Sequence, residues 1–126
     1  MSASLCLMAL GGALLAALPG PSFTLSWTHS IEKTEWREAW RVEAGRLVPV
    51  EARVRGAGAG MEPGPDARLT ADGWWVWVPG LPPQESVTLA ASSFTAEHRL
   101  CAGDLCKPLG GWTGRRDEPV TLRACP

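Results

Sequence analysis

The sequence predicts an all-β domain, a compact antiparallel sandwich or small barrel of about eight short strands behind an N-terminal signal-like segment. Three observations carry this. From residue 22 onward apolar and polar side chains alternate, and a period of two marks a half-buried strand. Turn-forming pairs and prolines interrupt the chain at short intervals, with no helical periodicity between them. One long apolar run stands apart, at residues 5–18.

That run is uncharged from Leu5 to Leu18 and is ended by Pro19-Gly20-Pro21. As a helix it would measure roughly 21 Å, short of a bilayer core of about 30 Å. The length suits the apolar region of a signal peptide. Met1 to Ser4 carries no Lys or Arg, and no Ala-x-Ala site precedes Pro19, so an uncleaved anchor is the rival. The expected division is a signal peptide or anchor over 1–20 and a single all-β domain over 21–126. The expected location is exported and periplasmic, with membrane contact only through residues 5–18 if these are retained.

The strands follow in order. Phe23, Leu25, Trp27 and His29 share one face. After a loop at Ser30–Lys33, Thr34, Trp36, Glu38, Trp40 and Val42 oppose the charged set Glu35, Arg37, Ala39, Arg41 and Glu43. A four-residue loop there sets Trp27 across from Trp36 and His29 across from Thr34. Ala44-Gly45-Arg46 turns into Leu47–Val54, where Pro49 suggests an edge, because proline donates no ladder hydrogen bond. Residues 56–66 are a long loop. Asp72-Gly73 marks a hairpin between Ala67–Ala71 and Trp74–Val78. Pro79–Pro83 is a second break. Ser86–Ala91 follows, then Glu97–Ala102 and Leu105–Pro108 about a Gly103-Asp104 turn, a loop from Gly110 to Pro119, and a closing strand Val120–Cys125.

Formal net charge is −1, from 12 basic and 13 acidic residues, and Arg115-Arg116 is the one basic pair in the sequence. Nucleic-acid affinity comes largely from clustered Lys and Arg on phosphates, so neither nucleic acid nor a polybasic membrane patch is expected. Removing the leader leaves Cys101, Cys106 and Cys125. With Gly103-Asp104 as the turn, Cys101 lies opposite Cys106 in a close pair suited to a disulfide. His98 with the three cysteines is the rival as a metal site, but the spacing fits no zinc pattern, and no metal or cofactor is expected. Cys125 is left free or competing for either partner.

His29 and Ser30 invite a nucleophile reading with Glu32 or Glu38 as the orienting acid. Adjacent strand residues face opposite sides, and Glu38 lies two same-face steps from His29, roughly 13 Å at about 3.4 Å per residue. Turn-holding or contact roles are favoured and no catalytic set is expected. Glu38 interrupts a tryptophan face, so that face is partly wet, or Glu38 has a donor partner such as an arginine or backbone amides, or it meets a ligand's polar group. Gly56–Met61 lacks the following helix of a phosphate loop and reads as a surface or contact loop. The seven tryptophans either fill the core or leave an exposed stacking face, with Trp74, Trp75 and Trp77 on both faces of one strand.

The run Trp27-Thr28-His29-Ser30, then Glu32-Lys33, Trp36, Glu38 and Trp40, resembles a small exported bacterial family known as domain of unknown function eighteen-fifty. Gly45, the Leu47–Val54 strand and Gly58-Ala59-Gly60 continue the resemblance, with Trp27 where tyrosine is expected. Members of that family commonly sit beside permeases of TRAP-type transporters served by TAXI solute-binding proteins. The resemblance therefore implies a non-enzymatic periplasmic accessory that contacts a transporter permease or solute-binding protein. It lends weight to His29, Ser30, Glu38, Gly58 and Gly60 as contact positions. A stand-alone ligand-binding module using exposed tryptophans is the first alternative, and a small hydrolase using His29 the second.

Overall fold

The computed structural model describes residues 4–28, 34–55, 66–89, 98–115 and 118–126. These form two antiparallel sheets and one short helix. The chain order is β1 (Ser4–Ala9), β2 (Leu14–Pro19), β3 (Ser22–Thr28), β4 (Glu35–Glu43), β5 (Arg46–Arg55), β6 (Arg68–Leu69), β7 (Trp74–Trp77), β8 (Val87–Leu89), β9 (Arg99–Ala102), β10 (Leu105–Pro108), α1 (Leu109–Thr113) and β11 (Val120–Ala124). The large sheet runs β10-β9-β3-β4-β5-β7-β6 and the small one β2-β1-β11-β8. The architecture is open rather than a closed barrel, and it holds eleven strands among the described residues, against the eight expected.

Two of these strands come from residues 4–19. Leu5 to Leu18, the apolar run of the sequence, folds as the β1–β2 hairpin, and β1 also pairs with β11, Leu5 opposite Ala124 and Leu7 opposite Leu122. The turn is made by Gly11 and Gly12, the latter at φ 95°, where a residue without Cβ is favoured. Leu5, Leu7 and Leu18 are fully buried. Cys6 is bonded to Cys125. The fate of Cys125, left open between a free thiol and competition for Cys101 or Cys106, is thus a bond to Cys6.

The core lies between the sheets. Leu5, Leu7, Leu18, Leu89, Val120, Leu122 and Ala124 from the small sheet meet Phe23, Leu25, Trp40, Val42, Leu47 and Leu100 from the large one. Leu109 of α1 joins them. The helix occupies part of the stretch expected to be loop, and Trp112 in it donates from Nε1 to the Leu100 carbonyl at 2.9 Å.

In the large sheet Phe23 pairs with Trp40 and Trp27 with Trp36, the latter as expected. The β4–β5 turn is tight, with Ala44 at φ 52° and Gly45 at φ 76°, the two positive angles a type I′ hairpin turn demands. Trp40 pairs with Pro49 while Ala39 pairs with Glu51, so Val50 is the extra residue of a bulge. The buried positions of β5 accordingly change phase, from Leu47 and Pro49 to Ala52 and Val54. Pro49 sits where β5 has no β7 partner, since β7 pairs only with Ala52–Arg55, and there the expected edge is found. The Asp72-Gly73 turn is present, but wider than expected, with the Thr70 N–H donating to the Trp74 carbonyl.

Two outcomes follow. Non-reducing peptide mapping is expected to return Cys6 joined to Cys125 and Cys101 joined to Cys106. The first bridge spans 119 residues and the second five, so loop-closure entropy assigns about 5 kcal/mol to the first and about 2 kcal/mol to the second; urea unfolding of Cys6→Ser and Cys106→Ser variants should rank in that order. Ala44→Asn, better suited to a left-handed angle, should gain up to about 1 kcal/mol in the same measurement.

Candidate functional site

Alternation along β3, β4, β5 and β7 gives the large sheet two distinct faces. On the face that contributes to the core, the pairing continues past the core itself: Trp27 opposite Trp36, Trp36 opposite Val54, Val54 opposite Trp75, and Ala52 opposite Trp77. The result is a row of indoles. Trp27 and Trp36 stack with centroids 6.1 Å apart and planes 5° from parallel. Trp77 meets Trp36 edge-on at 6.3 Å. His98, whose carbonyl accepts from the Leu109 N–H at 2.8 Å, places its imidazole 5.1 Å from the Trp27 ring. Such offset and edge contacts follow the ring quadrupole. Trp27, Trp36, Trp75 and Trp77 are each half-buried.

Glu38 sits within this face, between Trp36 and Trp40 along β4 and between Leu25 and Ala52 across the sheet. Its Oε1 accepts from the Trp40 Nε1–H at 3.3 Å. Of the options left open for Glu38, the structure shows a half-buried carboxylate with a donor, the donor being an indole N–H rather than an arginine or a backbone amide. Burial pushes its carboxyl above the ordinary value, and the Trp40 hydrogen bond pulls the other way more weakly. Burial also holds the His98 imidazole below its usual value. The two ionisable groups of the wall are thus both biased toward neutrality, which suits contact with an apolar or aromatic surface.

Thr34, expected opposite His29, is buried, and its Oγ1 has no hydrogen-bond partner among the described residues. His29, Ser30, Gly58 and Gly60 lie outside the described residues, so Glu38 is the one contact candidate that the structure places. His98 was considered in the sequence only as a metal ligand. Among the described residues no group of three or more His, Cys, Asp or Glu is gathered for a metal, and Cys101 and Cys106 are bridged as expected, directly opposite each other with Cα atoms 4.0 Å apart. The signal that would have placed His98 on the wall was its position just before β9, one strand away from Trp27.

The tryptophans do divide between core and surface. Trp40 and Trp74 are buried, while Trp27, Trp36, Trp75, Trp77 and Trp112 are half-buried.

The wall carries a pH signature. Above its folded value Glu38 is ionised in both states and the folded chain bears the cost of burying that charge. As the pH falls toward 4.5 the folded chain takes up the proton first, so this group raises stability on acidification. His98 acts in the opposite sense: the unfolded chain protonates near 6.5 while burial delays protonation of the folded imidazole to lower pH, so stability falls as the pH drops below 6.5. Urea unfolding across this range should show the acid-side gain vanish in Glu38→Gln, which also gains stability at neutral pH. The fall below pH 6.5 should vanish in His98→Phe.

Neither a curated protein nor a solved structure matches the chain. Residues 23–109 match the family described as "Domain of unknown function (DUF1850)". That span starts at Phe23 in β3 and takes in the rest of the large sheet together with β8, whereas β1, β2 and β11 fall outside it. The part of the fold that builds the tryptophan wall is therefore the part that the family shares, and this chain belongs to the DUF1850 family.

Proposed function

We propose that the chain is a non-enzymatic exported domain that serves a solute-uptake system by docking, through the Trp27–Trp36–Trp77 wall, on a transporter permease or a solute-binding protein. The wall is the observation that carries docking. Tryptophan supplies large contact area at little cost in side-chain entropy and is enriched at the energetic centres of interfaces. Here several half-buried indoles adjoin one another instead of being scattered singly.

Two disulfides favour an oxidising compartment, and no helix among the described residues is long and apolar enough to cross a membrane. The link to TRAP-type uptake rests on the resemblance of the His29–Trp40 region to a family encoded beside such permeases. The non-enzymatic reading is supported by the bridging of all four cysteines and by the partners of Glu38 and His98, an indole N–H and an indole ring. The partial exposure of five tryptophans favours a second reading, a stand-alone periplasmic module whose indoles stack on a small ligand.

Cross-linked affinity co-purification from the native host, read by mass spectrometry, separates the two. The expected result is recovery of a permease or solute-binding protein, lost in Trp77→Ala and in Glu38→Ala variants that retain the wild-type circular dichroism spectrum. Recovery of the domain alone overturns the accessory reading. Acrylamide quenching that leaves all the tryptophans protected overturns both.

A further inference from the structure

The opposite face of the large sheet gathers charge. Strand pairing sets Arg37 of β4 against Arg53 of β5, and Arg55 against Trp74 of β7. The guanidinium carbons of Arg37, Arg53 and Arg55 lie 4.9, 5.8 and 5.8 Å from the centroid of the Trp74 ring. Trp74 is 5 % exposed, so its ring is a buried platform on which three cations collect, as the negative face of an indole favours. The same row continues outward: Ser26 pairs with both Arg37 and Arg99, and Val76 with both Arg53 and Arg68. These five arginines share one face with Glu35 and Glu51, with the Arg41–Glu43 pair farther along β4, and with Asp72 near Arg53 and Arg55.

The two glutamates orient the arginines without saturating them. Glu35 accepts from Arg37 Nε at 3.0 Å and pairs with its Nη2 at 2.9 Å. Glu51 accepts from Nε and Nη2 of Arg53. Each carboxylate therefore occupies one edge of the guanidinium, and the Nη1 donors of both arginines have no hydrogen-bond partner among the described residues. Arg37 and Arg53, with Thr24, Ala39 and Glu51, line an open cavity of about 210 Å³. A guanidinium presents five donors in a planar fork matched to the oxygens of carboxylate and phosphate.

We infer that this cavity is an anion site, taking a small dianion with a phosphate group or two carboxylates between Arg37 and Arg53. Trp74 fixes the height of the guanidiniums, Glu35 and Glu51 fix their rotation, and the Thr24 hydroxyl adds a neutral donor at the rim. Glu51 repels the ligand but is already paired with Arg53, and the five guanidiniums of this row outnumber Glu35, Glu51 and Asp72. The site lies across the sheet from the tryptophan wall and does not depend on the docking proposed there.

The test is thermal unfolding and titration calorimetry of the whole chain with inorganic phosphate and, separately, malonate, at ionic strength held constant with sodium chloride. The expected result is a saturable rise in Tm with at least one of them, abolished in Arg37→Gln and in Arg53→Gln. Arg37→Lys, which keeps the charge but not the fork, should weaken binding several-fold. Arg41→Gln, on the same face but outside the cavity lining, should leave it unchanged. Circular dichroism confirms that each variant is folded. Phosphate alone identifies a phosphoryl group, malonate alone a dicarboxylate, and both the shared oxyanion geometry. No saturable effect of either, or one that persists in both Gln variants, overturns the site.

Discussion

The register of β3 on β4 is the constraint on which everything else in the large sheet rests. Phe23 stacks on Trp40 and Trp27 on Trp36, each pair about 6.1 Å between centroids and within a few degrees of parallel. Side chains alternate strictly along a strand, so a slip of one residue would turn every side chain of β4 to the other face. Trp36, Glu38 and Trp40 would leave the core side, and Arg37 and Arg41 would enter it. Two large aromatic pairs in a row exclude that slip, because no alternative register stacks both. The same pairing then hands its phase to β5.

That handover is not uniform, and the irregularity is useful. The bulge at Val50 lets Leu47 and Pro49 serve the sandwich core while Ala52 and Val54 serve the end bearing the tryptophans. Without the extra residue, Arg53 would face inward and Val54 outward. One inserted residue therefore keeps apolar side chains on one face and the Glu51–Arg53 pair on the other. The two faces end up chemically opposite. One holds indoles with a carboxylate and an imidazole that burial biases toward neutrality, and the other holds guanidiniums on a shielded indole.

Much of this was legible from residue order, where the determinants are local. The Cys101–Cys106 hairpin and the Trp27–Trp36 pair follow from two-residue alternation about a short turn. The pairing of the N-terminal segment was not legible, because an apolar signal region and a strand buried against a second sheet share the same composition. The discriminating residues were Gly11 and Gly12, a hairpin signal in the middle of the run, and the partner that would have exposed the difference, Leu122, lies at the far end of the chain. The arginine cluster was invisible for a related reason. Arg37, Arg53 and Arg55 are dispersed among acidic neighbours in the sequence, and only cross-strand pairing brings them onto one ring.

The bridge between Cys6 and Cys125 has a consequence for the order of assembly. It joins the first strand to the residue that follows the last, and β1 lies between β2 and β11 in the small sheet. A chain emerging vectorially presents β1 long before β11 exists. The large sheet, built from contiguous neighbours β3, β4 and β5, is free to form in the meantime, while the exposed edge of β1 waits. The covalent circle closes only once residues 120–125 have reached β1 and met an oxidant, so the small sheet waits on the most distant pairing in the fold.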